Sequence, residues 1–347
     1  MIPTVSVVMA AYNGAALLPE TLRSLGAQTC PDWELVVVDD CSTDGTLDLL
    51  RDWPDPRVRV FRSPANGGPV RARNLALAHA RGRYVAGLDQ DDLCRPDRFR
   101  RQVAHLDAHP GVAALGTAAA FLENGKRRMP NDAPNTTPAL VEWLLRIENP
   151  LVWSSMMIRA DVARRLEPFT RPDRLYAEDF DLYHRLLAHG AVARLDEVLI
   201  DYRLHAGGAS QRFNERMHAS AAEVLARAHD ACFGPDASAA AALLVRHMML
   251  GDPVPDRATL AALGDVIARA QAHHLAARSV DDEDARLIRW ETARRWTRVG
   301  RAGLRSGALS LADLFAARPP RLGLGHAGVD TLIAARAVGA ARRALRP

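Results

Sequence analysis

Gly87-Leu88-Asp89-Gln90-Asp91-Asp92 sets three carboxylates at the end of an apolar run. The run, Tyr84 to Leu88, has the length and the β-branched or aromatic content of a short buried strand. Acidic side chains at the C-terminal edge of such a strand lie where open α/β sheets bind their ligands. Like charges this close repel one another unless something positive sits among them. A hard divalent cation, which takes oxygen ligands and bridges phosphates, meets that need. A solvated acidic loop accounts for the triplet at least as well. Alternation along an extended segment puts Asp89 and Asp91 on the same side, so both can face one centre. An EF-hand is excluded, because Cys94 stands where its loop needs glycine and Arg100 where it needs glutamate.

Four other blocks carry residues with chemistry. In Ala10-Ala11-Tyr12-Asn13, Tyr12 offers either an aromatic face to a nucleobase or a core or turn tyrosine. Asp39 and Asp40 end a second apolar run, where a carboxylate can accept from a uracil or thymine N–H or simply cap a turn. Asn66-Gly67-Gly68-Pro69 leads into Val70-Arg71-Ala72-Arg73-Asn74. Its glycines allow close backbone approach, and arginines in a first helical turn either meet a diphosphate or are solvated. Glu178-Asp179 opens a further helical pattern, where two acids are also simple complements to the helix dipole.

The elements that must position these residues alternate in period over the first ~110 residues. Strand patterns fall at Val5–Met9, Glu34–Asp39, Arg57–Phe61 and Tyr84–Leu88. Helical patterns fall at Leu17–Leu25, from Ser42 or Thr43 (as N-cap) to Leu50, at Val70–Ala80 and at Pro96–His109. This alternation predicts an α/β doubly wound parallel sheet with right-handed crossovers. From Val112 the pattern loosens: Val112–Leu122 and Ser154–Ile158 read as strands, 131–138 as loop, Glu178–His189 as helix and Ala191–Tyr202 as extended. After about Asn214 the chain becomes Ala- and Arg-rich with helical periodicity, interrupted at 251–255 and 318–325. We therefore expect a catalytic domain over 1–212 and a helical domain over 213–347.

Composition narrows the function classes. At 347 residues, 48% hydrophobic and 25% charged, the chain is that of a globular protein with ample core. No apolar stretch approaches the ~20 residues of a membrane helix, and the N-terminus enters a strand pattern directly, so a cytoplasmic protein is expected. Cys30, Cys41, Cys94 and Cys232 are too sparse for a disulfide framework. Of 45 basic residues only Lys126 is lysine, which removes the GK[ST] phosphate loop and Schiff-base chemistry. The net charge of +4 gives no reason to expect a nucleic-acid partner.

Taken in order, Val5–Asn13, Val36–Gly45, Asn66–Asn74, Leu88–Asp92 and Glu178–Asp181 resemble the family 2 inverting glycosyltransferases, over roughly residues 3–205. The resemblance implies the GT-A fold, a Rossmann-like, mainly parallel sheet with flanking helices, here extended by the helical C-terminal region. It implies transfer from a nucleoside-diphosphate sugar to a saccharide, lipid-linked or small-molecule acceptor. Asp179 maps onto the catalytic base, with Glu178 beside it. Asp91 maps onto the ligand of Mg²⁺ or Mn²⁺, with Asp89 on ribose or reaching the metal through water. Ala10, Tyr12, Asn13 and Asp40 map onto the nucleoside side, which favours UDP or dTDP. Arg71 and Arg73 map onto the diphosphate side, with Asn66, Gly67 and Asn74 among the substrate-binding residues around them. Tyr202-Arg203-Leu204-His205 resembles the end of the catalytic domain, with His205 in reach of diphosphate or metal.

Competing readings are weaker. A phosphoacceptor receiver domain needs a lysine on a later strand, whereas Lys126 sits in a loop-like stretch. A nicotinamide dehydrogenase needs GxGxxG after the first strand, and Ala10–Gly14 has one glycine. A nucleotidyltransferase would carry a Gly-rich, lysine-containing N-terminal loop. A degenerate relative that binds nucleotide or glycan without turnover is the alternative outside enzymes. The C-terminal helices suit a homodimer, an acceptor site or peripheral contact with the inner face of a membrane. For the last, Val329–Arg346 mixes Leu332, Ile333, Val338 and Leu345 with Arg336, Arg342, Arg343 and Arg346. Trp143 and Trp153 read as core residues or as the wall of an acceptor site.

Overall fold

The computed structural model describes residues 2–129, 135–205, 214–317 and 329–344. The loop expected at 131–134, the boundary at 212/213, the interruption at 318–325, and Leu345 and Arg346 lie outside the described residues. The chain forms two compact units, Met1–Pro138 with Pro150–Met217, and Ala139–Asn149 with His218–Pro347.

The first unit opens with β1 (Val5–Ala11), α1 (Leu18–Gly26), β2 (Trp33–Asp39), α2 (Thr46–Arg51), β3 (Val58–Arg62), α3 (Pro69–His79) and β4 (Tyr84–Gly87). It continues through β5 (Leu93–Cys94), α4 (Arg98–Ala108), β6 (Val112–Glu123) and β7 (Lys126–Arg128). Pro138 begins α5 (Pro138–Leu144), most of which belongs to the second unit; β8 (Met157–Arg159), α6 (Ala160–Arg165), α7 (Glu178–Leu186) and β9 (Ala191–Leu204) complete the first.

The sheet order is β3-β2-β1-β4-β8-β6-β9-β5, with β7 beside β6. β3, β2, β1 and β4 are all parallel. Residues of β2 are buried throughout, which is why its sequence is a continuous apolar run rather than an alternation. Beyond β4 the sheet becomes mixed: β8 runs antiparallel to both β4 and β6, while β6 and β9 are parallel. Ser6 and Glu34 are the polar exceptions inside the parallel part. The Ser6 hydroxyl donates to Glu34 at 2.6 Å, and Arg59 and Arg81 each donate to the other oxygen at 2.8 Å.

From β1 the chain passes through α1 to β2 on one side; from β3 it returns through α3 to β4 on the other. Strand order therefore reverses between β1 and β4, and open α/β sheets bind ligands outside the carboxyl ends at such a point. Tyr12 follows β1 and Asp89–Asp91 follow β4, so both meet at this crevice.

Two local expectations need correction. The strand expected at Ser154–Ile158 narrows to β8, because Trp153–Ser155 form a 3-10 turn. The second helix starts at Thr46 with Gly45 as N-cap, not at Ser42 or Thr43. The Ser42 hydroxyl accepts the Asn13 N–H at 3.0 Å, and Thr43 donates its N–H to Asn13 Oδ1 at 2.8 Å. Both residues serve the β1 loop, and the Asp44 carboxylate accepts the Thr46 N–H instead.

The second unit is helical: α8 (Asn214–Phe233), α9 (Ala237–Leu244) running into a π-helical turn at Val245–Met249, α10 (Arg257–Ala277), α11 (Asp282–Ser306), α12 (Leu311–Ala316) and α13 (Val329–Ala344). Trp143 is fully buried here and donates its indole N–H to Thr292 at 2.8 Å, so it is a core residue of this unit. Arg295 and Arg298 both bind Glu148. On α13, Ile333 and Val338 are exposed beside an exposed Arg336. Among the described residues no helix is long and apolar enough to cross a membrane.

Candidate active site at the carboxyl ends of the parallel strands

Four carboxylates and one guanidinium organise the crevice. Arg73, on the buried side of α3, donates to Asp89 Oδ1 and to Glu178 Oε1, each at 2.7 Å. Its guanidinium lies 5.1 Å from the Trp153 ring centroid, and that indole packs against Gly87, where no Cβ fits. Burial works against the Arg73 charge, but the Asp89 and then Glu178 carboxylates hold it more firmly protonated than a free guanidinium. The strand-end acids and the start of α7 are thereby fixed to each other. Arg73, expected on the diphosphate side, thus spends one bond of each arm of its fork inside the protein. Arg71, two positions earlier, is exposed.

Asp91 faces the end of β9. Its Oδ2 lies 2.7 Å from His205 Nε2, and its carbonyl accepts from Arg203 Nε at 2.8 Å. Burial, then the charge of Asp89, pushes the Asp91 carboxyl above the ordinary range, against the pull of His205. Asp92 is buried and accepts the Arg203 N–H at 2.8 Å, which makes it a support of the loop. Burial and the two neighbouring aspartates raise its carboxyl well above the usual value. The Ser154 hydroxyl accepts the Asp89 N–H at 3.0 Å.

Asp179 is the second residue of α7 and half-buried, and its Oδ1 accepts the N–H of Phe180 at 2.7 Å.

On the other side of the crevice, Tyr12 is 46% exposed, which leaves its ring available as a platform. Ala10 is the penultimate residue of β1, and Asn13 takes a positive φ of 48° where it binds Thr43. Asp40 is buried, and its carboxylate accepts the N–H groups of Gly67 (3.1 Å) and Gly68 (2.7 Å). It anchors the glycine loop, in which Asn66 is exposed. Asn74 points elsewhere: it donates to the Thr170 carbonyl and accepts the Thr170 N–H. Its place on α3 makes it a tether for the 170 segment.

Sequence reasoning passed over Gln90, Ser154 and Arg203. For Gln90 the signal was present, since alternation points its side chain away from Asp89 and Asp91. Ser154 and Arg203 reach the loop across 65 and 111 residues of chain; Arg203 lay in the Tyr202–His205 block, but nothing local marks either residue's partner.

The family described as Glycosyl transferase family 2 matches residues 6–166. TuaG of Bacillus subtilis (strain 168), assigned by its name to teichuronic acid biosynthesis, is 44% identical over 206 residues, 58% of this chain and 79% of TuaG. The chain belongs to glycosyltransferase family 2. Its fold is shared with other glycosyltransferases at much lower identity. S. aureus TarS 1-349, solved in complex with UDP-GlcNAc, superposes with a TM-score of 0.55 at 18% identity, covering 98% of this chain and 91% of that one. The mannosyltransferase PcManGT from Pyrobaculum calidifontis, solved with GDP-Man and Mn²⁺, gives 0.50 at 22% identity, covering 99% and 88%. In this glycosyltransferase the acids that follow β4 and those that open α7 occupy one end of the sheet.

Proposed function

We propose that this glycosyltransferase moves a sugar, with inversion, from a nucleoside diphosphate to an acceptor hydroxyl during bacterial polysaccharide or glycoconjugate synthesis. The observation that carries the reading is the Arg73 bridge, which locks the Asp89–Asp91 loop to the start of the helix bearing Asp179. Asp179 takes the acceptor's proton as the hydroxyl attacks the anomeric carbon from the face opposite the diphosphate, and no covalent sugar–enzyme forms. The polysaccharide assignment follows from TuaG, named for teichuronic acid biosynthesis.

The nucleoside lies on the Tyr12 side, its base against the ring. A carboxylate has about four lone-pair sites. Asp40, which gives some of them to Gly67 and Gly68, can accept a pyrimidine N–H as well, and this favours UDP or dTDP. The complex of TarS with UDP-GlcNAc supports the same class of donor. Arg71, exposed at the start of α3, approaches the diphosphate together with the Gly67 backbone.

Asp91 would hold Mg²⁺ or Mn²⁺, with His205 beside it and Asp89 acting through ribose or water. The donor set fits such an ion. Among the described residues no cluster of three or more His, Cys, Asp or Glu forms a ready cage, and Mg²⁺ usually binds through one or two carboxylates plus substrate phosphates. Crowded acids that burial pushes toward neutrality gain from a cation. When bound, the ion supplies charge stabilisation to the departing diphosphate.

Asp179→Asn tests the reading. General-base catalysis contributes roughly 10²–10⁴-fold, so turnover should fall by that factor while donor binding survives. Lost donor binding with unchanged turnover per bound donor would contradict the assignment. The product's anomeric configuration, read by NMR, tests inversion.

A further inference from the structure

Gln90 separates the two aspartates in sequence, yet its side chain serves the opposite wall of the crevice. Its Nε2 donates to the Tyr12 carbonyl at 3.0 Å, and its Oε1 accepts the Tyr12 N–H at 3.0 Å. The side-chain amide thus pairs with the Tyr12 backbone as a neighbouring strand would, across the point where strand order reverses. Two further observations show that the space is built for it. A Cβ on Gly14 would stand 2.2 Å from Gln90 Oε1, so any side chain at position 14 would displace the amide. The Gln90 carbonyl accepts from the buried Thr21 hydroxyl at 2.9 Å, which pins its backbone to α1. Meanwhile the flanking residues are held on the other side, Asp89 by Arg73 and Asp91 by His205.

We infer that Gln90 is a positioning residue that sets the Tyr12 platform in register with the Asp89–Asp91 loop, so that nucleoside and diphosphate are gripped at a fixed spacing. The inference rests on the donor-site reading above. Only an amide satisfies both bonds: glutamate lacks the donor, asparagine falls one methylene short, and methionine keeps the length without either bond. Nothing else in the described structure bonds to the Tyr12 N–H or carbonyl across this crevice, and the ring itself is exposed.

The test is a double-mutant cycle on UDP affinity, measured by calorimetry with Mn²⁺ in wild type, Gln90→Met, Tyr12→Ala and the double variant. Gln90→Met should weaken UDP about tenfold, the loss expected for two neutral hydrogen bonds. Because Gln90 acts through Tyr12, the double variant should bind no worse than Tyr12→Ala. Additive losses would mean that Gln90 acts on the carboxylates, and would overturn the inference. A second readout needs no ligand: the Tyr12 amide should exchange slowly in wild type and rapidly in Gln90→Met, and equal protection would overturn the lock. If the wild type bound no UDP, the donor reading would fail and the exchange result would decide the lock alone. Gly14→Ala, which displaces the Gln90 amide without altering it, should reproduce the loss of Tyr12 protection if Gln90→Met does not fold.

Discussion

The guanidinium of Arg73 and the carboxylate of Glu178 meet at 2.7 Å across 105 residues of chain, and the other arm of the same guanidinium holds Asp89. One cation therefore sets the distance between the strand-end acids and the helix that carries Asp179. Removing one partner of a buried ion pair costs about 3–5 kcal/mol, because the remaining charge has nowhere to go. Arg73→Ala should lower stability by that order, read from denaturant unfolding, and Arg73→Lys should rescue it in part, since an ammonium lacks the planar fork. A phosphate-binding role would instead show as weaker donor binding with unchanged stability.

Asp40 makes a different prediction. Its carboxylate carries the N–H groups of the half-buried Gly67 and Gly68, and a typical hydrogen bond contributes roughly 0.5–1.5 kcal/mol. Asp40→Ala should speed amide exchange at Gly67 and Gly68 and weaken UDP binding. Unchanged exchange at both glycines would show that the loop holds itself.

Strong acid should act on the parallel sheet through Glu34. Burial raises this carboxyl, but the Ser6 hydroxyl, then Arg81 and Arg59, bring it down to about 2. An unfolded glutamate titrates near about 4.3, so the stabilisation is complete above that pH and is lost as pH falls toward 2. The amount is on the order of 3 kcal/mol. Urea unfolding of wild type and Glu34→Gln from pH 7 down to pH 2.5 should converge at the acid end. Parallel curves would refute the coupling.

The helical unit should respond at milder pH. Burial, then the charges of Arg146, Arg278 and His273, holds His274 down to about 4, and neither ring nitrogen has a hydrogen-bond partner. The unfolded imidazole takes its proton near about 6.5, so stability is present above that value and is lost as pH falls toward 4. His274→Leu should flatten the fall in melting temperature over that interval. An unchanged slope would mean that His274 is protonated within the fold.

Much of this was legible in the sequence because the parallel strands are short, apolar and bounded by turn residues. β2 ends on Asp39 and the loop after β4 carries Asp89 and Asp91, as the apolar runs predicted, and Trp143 took the core role that large aromatics usually take. The partners of those acids were not legible. Arg71 and Arg73 sit two apart on one helix and look alike in sequence, yet one is exposed and the other buried between carboxylates. Local periodicity fixes which side of α3 faces the sheet, but it does not say that Glu178 will stand there. The partner of Asn74 was hidden for the same reason, since Thr170 lies 96 residues away. Ser42 and Thr43 were good N-cap residues by type and were claimed by Asn13 instead.

The central claim is a nucleoside-diphosphate donor site built around Asp91. The most direct measurement is calorimetric binding of UDP, dTDP and GDP, each with and without Mn²⁺, to the wild-type chain and to Asp91→Asn. The account predicts metal-dependent binding of a pyrimidine diphosphate that the substitution abolishes. A folded protein that binds none of the three, or binds one equally well without metal and in Asp91→Asn, would contradict it.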